Sequence, residues 1–333
     1  IYTLSLHDAL PIFGAKMKRI GILTSGGDAP GMNSAIRATV RAGSRKNIEV
    51  IGIRKGYEGL INGDFIPLNR DNVNGIIHRG GTILKTARCD EFRTVEGMKK
   101  ARANMQSANI DAIIVIGGDG SLRGACDFME ISGNIVLIPG TIDNDMGYTD
   151  YTVGFSSAVN TVISAVNNIK ETGEAHDRAT VIEVMGRHCG DIALHSGLAA
   201  GADLILIPEL ETNIEAVSKR LRECCERQHQ IIIRSEGSNI SMEELSESVK
   251  KNTDQELRKV VLSYLQRGGS PVAEDRKLAT FMGVEAIEAV YEEDYNVAIG
   301  VEGGHIIRTP VKEAEKITRE ADLEMLQLIY NLW

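Results

Sequence analysis

The chain has 333 residues, 43% hydrophobic and 25% charged, ordinary values for a soluble globular protein with one large α/β unit or two moderate ones. Its net charge of -9 excludes the basic field that a nucleic-acid or anionic-membrane surface needs, and no apolar run approaches the roughly 20 residues of a membrane span. An anionic small substrate stays compatible with this charge, provided that a local cluster of Arg and Lys receives it.

Residues 1–16, IYTLSLHDALPIFGAK, lack a cationic start and a small-residue cleavage site; they read as an extraneous leader outside the fold, with Met17 as the natural start. A first strand is expected over Arg19–Leu23, followed by a helix over Gly31–Gly43. Further buried strands are expected over Asp111–Ile116, Ile135–Ile138, Thr180–Val184, Leu204–Ile207 and Ile231–Ile233. Continuous apolar runs bounded by Gly and Pro and separated by helices indicate parallel sheets covered on both faces. Right-handed crossovers then align the strand C-termini along one edge, where such sheets bind ligands. A second, smaller unit begins near residue 153. The stretch after Pro310 reads as an amphipathic helix ending near Leu326, Ile329, Tyr330 and Trp333, packed on that second unit. The odd set of cysteines, Cys89, Cys126, Cys189, Cys224 and Cys225, has no C-x-x-C spacing and reads as reduced thiols of a cytoplasmic protein.

The chemistry gathers at the strand ends. The first strand runs into Thr24-Ser25-Gly26-Gly27-Asp28-Ala29-Pro30-Gly31, and the second into Gly117-Gly118-Asp119-Gly120-Ser121. Glycine-rich turns before a helix let backbone N–H groups approach phosphate oxygens. Neither loop is a Walker A, and the step from Gly120 to Gly124 is one residue too long for G-x-G-x-x-G. Each alone reads equally well as a tight packing turn; two on one edge favour phosphate. Asp119 and Asp145 are hard oxygen donors of the kind Mg²⁺ takes, although Asp in such a turn is more often a cap. Asp143 and Asp145 follow a buried strand two residues apart, a spacing that in an extended segment turns both to one pocket. Arg88, Arg178, Arg187, Arg258 and Arg267 stand near glycine or strand-end contexts, where a guanidinium stabilises a transferring phosphoryl group.

The runs GILTSGGDAPGMNSAIR, RGGTILKTAR, VIGGDGS, PGTIDND, DYTVGFSSA, EVMGRHCGD and LQRGGSP resemble the bacterial-type 6-phosphofructokinase family from Met17 to about residue 310. GGDG also occurs in NAD and lipid kinases, but those do not combine it with PGTIDND, MGR and QRGGSP. The resemblance implies two Rossmann-like three-layer domains with mainly parallel sheets and the active site in the cleft between them. The larger, ATP-binding one would comprise 17–153 plus 266–312, and the smaller one, for fructose 6-phosphate, 154–265 plus 313–333. It implies MgATP as donor, a homotetramer, and active sites shared between subunits. Gly27, Arg88, Cys89, Gly118, Asp119, Gly120 and Ser121 match nucleotide positions, with Asp119 and Asp145 near Mg²⁺. Thr141, Asp143, Met185, Gly186, Arg187, Glu236, Tyr264 and Arg267 match sugar-phosphate positions. Arg178 and Arg258 match arginines that reach a neighbouring subunit's substrate. Asp143 matches the catalytic base, assisted by Thr141, Arg88 and Arg187.

Two choices remain within that resemblance. Pyrophosphate-using relatives tend to carry Lys in place of Gly140 and a bulkier acid in place of Gly120, where a side chain would fill the space ATP needs; both being Gly favours ATP. A silent regulatory subunit would lack the acids, and Asp119, Asp143 and Asp145 are all present. Tyr264 replaces a His that helps to hold the sugar phosphate, exchanging a cation for one hydrogen-bond donor. Arg37, Arg41 and Arg70 match effector positions, but Lys170 and Asp203 replace an Arg and a Glu, and Glu226–His229 is short of lysines. Weak or altered allosteric control follows.

Overall fold

The computed structural model describes residues 18–174, 179–223, 230–253 and 256–332. The leader, Met17, Arg178, Cys224, Cys225, residues 226–229 and Trp333 lie outside the described residues.

The first sheet begins as strand–helix alternation: β1 (Arg19–Thr24), α1 (Met32–Arg45), β2 (Glu49–Ile53), α2 (Gly56–Asn62), β3 (Phe65–Leu68), α3 (Val95–Ser107), β4 (Ala112–Gly117), α4 (Asp119–Ser132) and β5 (Ile135–Thr141). The chain then passes through β6 (Val153–Gly154) and the long α5 (Phe155–Glu174) into a second sheet. This comprises β7 (Thr180–Val184), α6 (Asp191–Ala200), β8 (Leu204–Leu206), α7 (Ile214–Glu223), β9 (Ile231–Ser235), α8 (Met242–Thr253) and β10 (Arg258–Val261). It returns through α9 (Ala273–Tyr291) to β11 (Val297–Glu302) and β12 (His305–Pro310), then ends in α10 (Val311–Ala314) and α11 (Leu323–Asn331).

Among the described residues the first sheet has the order β12-β11-β5-β4-β1-β2-β3, with β6 beside β5, and the second β10-β7-β9-β8. Only β3 and β12, at the two edges of the first sheet, run antiparallel to their neighbours. Every residue of β4 and β5 is buried, which is why their sequences read as unbroken apolar runs. β10, an edge strand, is mostly exposed and starts Arg258-Lys259, charges that discourage further strand pairing. Its polar composition hid it from the sequence reading. Several strands outrun their apolar runs, β5 furthest, through Pro139-Gly140-Thr141, and β9 through Arg234-Ser235.

α1 and α9 pack on each other beside the first sheet, α5 on α6, and α11 on α6, with Leu326 and Ile329 buried. One hydrophobic cluster runs from Ile22 and Met32 through Phe155 and Val162 of α5 to Ile182 and Ile233 of the second sheet. α5 is therefore the apolar seam between the sheets. Asp275, in the first turn of α9, fastens it by accepting from Gly154 N (2.9 Å), Ser157 N (2.7 Å) and Ser157 Oγ (2.5 Å).

Candidate active site

β1, β4 and β5 are parallel neighbours, so the turns that follow them leave the first sheet on one edge. Gly31, the N-cap of α1, has φ +108°, and a Cβ there would stand 2.7 Å from Val153 Cγ1; only glycine joins this turn to this helix. Ser25 N donates to Ile116 O at 2.9 Å, tying the first turn to the second. Asp119 opens α4 and pairs with Arg123 at 2.6 Å, while Ser121 is buried behind it. Gly118 lies against Thr141, whereas among the described residues nothing stands within 4 Å of a Cβ built at Gly120. The space argument therefore applies at Gly120. At Gly140 it does not: a Cβ there would meet Ile116 Cγ2 at 2.8 Å and Met32 Cε at 3.2 Å. That glycine is required by the protein's own core, a correction to the expectation that both glycines clear room for a donor.

The turn after β5 also differs from its expected form. Asn144 is left-handed, with φ +53°, so Asp143 and Asp145 are brought together by a bend rather than by the alternation of an extended strand. Asn144 is fully buried and held on every side. Its Oδ1 accepts from Thr152 N (2.9 Å), and its Nδ2 donates to Asp150 O (3.1 Å) and to Asp191 Oδ2 (2.8 Å). Asp191 in turn is bound by Arg319 at 2.9 Å, which also donates to Thr149 O. Thr141 Oγ1 accepts from Asp143 N at 3.2 Å. The sequence reading missed this frame, because a helix-starting Asp reads as a cap and Arg319 is 128 residues away from it.

Asp143 Oδ1 and Asp145 Oδ1 are both buried and without a hydrogen-bond partner among the described residues. Burial pushes the Asp143 carboxyl up; the Arg267 charge opposes this, Glu236 adds to it, and Arg187 and His188 oppose it. Burial, then the neighbouring Asp143 and Asp119 charges, push Asp145 up to about 6. These influences place acids from β5 and α4 beside basic groups from the second sheet. Arg187 follows β7, Glu236 follows β9, and both are exposed. Met185 N donates to Gln266 Oε1 at 3.1 Å, and Gly186 (φ +123°) takes the Ser235 hydroxyl on its carbonyl at 2.6 Å. Arg267 Nη1 donates to Asp28 O at 3.2 Å and lies so close to Gly27 that any Cβ there would collide with it. Arg267 thus packs against the first turn, and its charge is felt at the Asp143 carboxyl.

The structure does not bring all the predicted residues into this group. Arg88 is exposed beside the half-buried Cys89, whose thiol burial pushes up. Arg258 is exposed on β10, and Tyr264 is 79% exposed. Arg37 and Arg41 are neighbours on α1, where burial and the Arg41 charge lower the Arg37 pKa, and Arg41 Nε is buried without a hydrogen-bond partner among the described residues. Arg70 is exposed. Lys170 donates to Ala200 O (2.5 Å) and Gly201 O (3.0 Å), closing the end of α6. Asp203 is buried and accepts from Ile231 N at 2.7 Å.

Among the described residues no three His, Cys, Asp or Glu side chains form a closed metal cage. One unpartnered buried carboxylate oxygen on Asp145, with Asp119 beside it, fits a divalent ion that takes the rest of its shell from phosphate oxygens and water, the usual habit of Mg²⁺.

The profile of the phosphofructokinase family matches residues 19–290. Proteins named ATP-dependent 6-phosphofructokinase from Alkaliphilus metalliredigens and Clostridium tetani are 48% and 46% identical over 314 residues, 94% of this chain and 98% of each relative. The solved phosphofructokinase of Saccharomyces cerevisiae superposes with a TM-score of 0.86 at 37% identity; the match covers 94% of this chain but 47% of the yeast chain, so this chain spans about half its length. With a match across both sheets and every glycine-rich turn of the site, the chain belongs to the phosphofructokinase family.

Proposed function

We propose that the chain transfers the γ-phosphoryl group of MgATP to the 1-hydroxyl of fructose 6-phosphate, giving fructose 1,6-bisphosphate and ADP. The observation that carries this reading is the buried, unpartnered Oδ1 of Asp143, set beside Arg267 and Arg187 at the mouth of two glycine-rich turns. A carboxylate so placed has no structural partner to satisfy and is available to a ligand hydroxyl.

Asp143 accepts the sugar hydroxyl proton as the oxygen attacks phosphorus, and Thr141 holds its backbone through the 3.2 Å bond. Arg187 and Arg88 offset the charge that develops on the transferring group. Gly27, Gly118, Gly120, Ser121, Arg88 and Cys89 border the nucleotide; the open side of Gly120 supports ATP over pyrophosphate. Asp119 and Asp145 would hold Mg²⁺, which would supply positive charge to offset that of the phosphates. Met185, Gly186, Glu236 and Arg267 receive the sugar phosphate. Arg258 and Tyr264, exposed in the single chain, and Arg178 suit a site completed by another subunit of a homotetramer in the cytoplasm. The backbone bonds of Lys170 and Asp203 support weak allosteric control through the Arg37, Arg41 and Arg70 surface.

The initial rate of fructose 1,6-bisphosphate formation, compared with MgATP and with Mg-pyrophosphate, tests the reading. Activity with ATP alone is expected. Activity with pyrophosphate alone would overturn the donor, and binding of both substrates without turnover would favour a silent regulatory subunit.

A further inference from the structure

Outside the loops just described, a cavity of about 360 Å³ opens between β8, the segment 207–213, α7 and α11. Its volume lies at the lower end of small-molecule sites. Leu204, Leu206, Val217 and Leu326 supply an apolar wall, and Tyr330, four residues after Leu326 on the same face of α11, closes one side. Within this wall sits one cation. Nε and Nη2 of Arg220 are buried, and neither has a hydrogen-bond partner among the described residues.

Those two atoms are not an arbitrary pair. They form the edge of the guanidinium whose parallel N–H bonds match the two oxygens of a carboxylate. A buried guanidinium edge with no acceptor is costly, and an arriving carboxylate removes that cost. We propose that this cavity binds a small amphipathic monocarboxylate, its head on the Nε–Nη2 edge of Arg220 and its hydrocarbon body against Leu204, Leu206, Val217 and Leu326. One guanidinium balances one negative charge. Glu211 also lines the cavity and opposes a second, which selects against the dianion of a phosphate monoester. Tyr330 OH already donates to Ile205 O at 3.4 Å, so the ring serves as wall rather than as the anion's partner. None of these residues belongs to the phosphoryl-transfer loops, and the site stands whether or not the donor assignment does.

The test titrates the intact protein with octanoate and 3-phenylpropionate, their neutral alcohols 1-octanol and 3-phenylpropanol, and octyl phosphate, read by ligand-observed NMR and calorimetry. The carboxylates are expected to saturate one site per chain, with each alcohol and the phosphate weaker by about tenfold or more, the size of a lost charge-assisted pair. Arg220→Gln should abolish the preference for carboxylate over alcohol without lowering thermal stability. Ala216→Trp, which fills the cavity from α7, should abolish binding of every probe. Equal affinity for acid and alcohol, an unchanged carboxylate affinity in Arg220→Gln, tighter binding of octyl phosphate, or no saturable binding at millimolar probe would each overturn the proposal.

Discussion

At the scale of single residues the site holds two acids, Asp143 and Asp145, whose Oδ1 atoms have no hydrogen-bond partner among the described residues. Asp143→Asn keeps the shape of the turn but removes the proposed proton acceptor; turnover should fall at least about a hundredfold, the usual worth of a general base, while circular dichroism stays unchanged. Asp145 carries a sign that can be worked out. Its folded pKa, about 6, lies above the ordinary 3.8. The group thus favours folding most below pH 4, and that contribution is lost as pH rises towards 6. Above pH 6 the folded protein holds a buried charge with no partner on Oδ1. Asp145→Asn should therefore raise the melting temperature at pH 7.5 while activity collapses, and the gain should shrink to nothing near pH 4. Asp119, Asp143 and Asp145 are legible in the sequence because acids rarely cluster behind apolar strands without a task. Asp191 and Arg319 are not, because their importance lies in a contact that only the folded chain makes.

Among the elements, the turn from β1 into α1 is the most tightly specified. Gly31 combines φ +108° with the closeness of Val153. Gly31→Ala should cost about 1–3 kcal/mol in urea unfolding, from backbone strain and the collision together. Adding Val153→Ala should recover the collision but not the strain, so the two changes should be non-additive. β1, β4, β5, β7, β8 and β9 are expected from their apolar runs; β2 and β11 carry such runs too but are not assigned from the sequence, and β3, β10 and β12 carry none as clear. β10 is mostly exposed and charged at its start, and β12 is only half-buried along its length, so neither carries the signature of a strand buried on both faces. The left-handed Asn144 was equally hidden, because the sequence Ile-Asp-Asn-Asp fits an extended segment as well as a bend.

For the molecule as a whole, the two sheets are joined by apolar packing along α5 and by polar fastenings, among them the one at Asp275. Asp275→Ala leaves three buried donors without an acceptor, and unfolding free energy should fall by about 2–4 kcal/mol, measured by denaturant titration. Because the fastening joins α9 to the start of α5, the loss should also blunt activity measured at elevated temperature before the protein unfolds. The chain order of the first sheet has a further consequence during synthesis on the ribosome. β5 lies inside that sheet, yet its partner β11 begins 156 residues after Thr141. At about 5–20 residues per second, a nascent chain presents the bare flank of β5 for roughly 8–30 s. β6 covers only Gly140 and Thr141 in the meantime. The apolar register Ile135–Leu137 is then open to strand addition from other chains, and it is there that a chaperone would be expected to bind the emerging polypeptide.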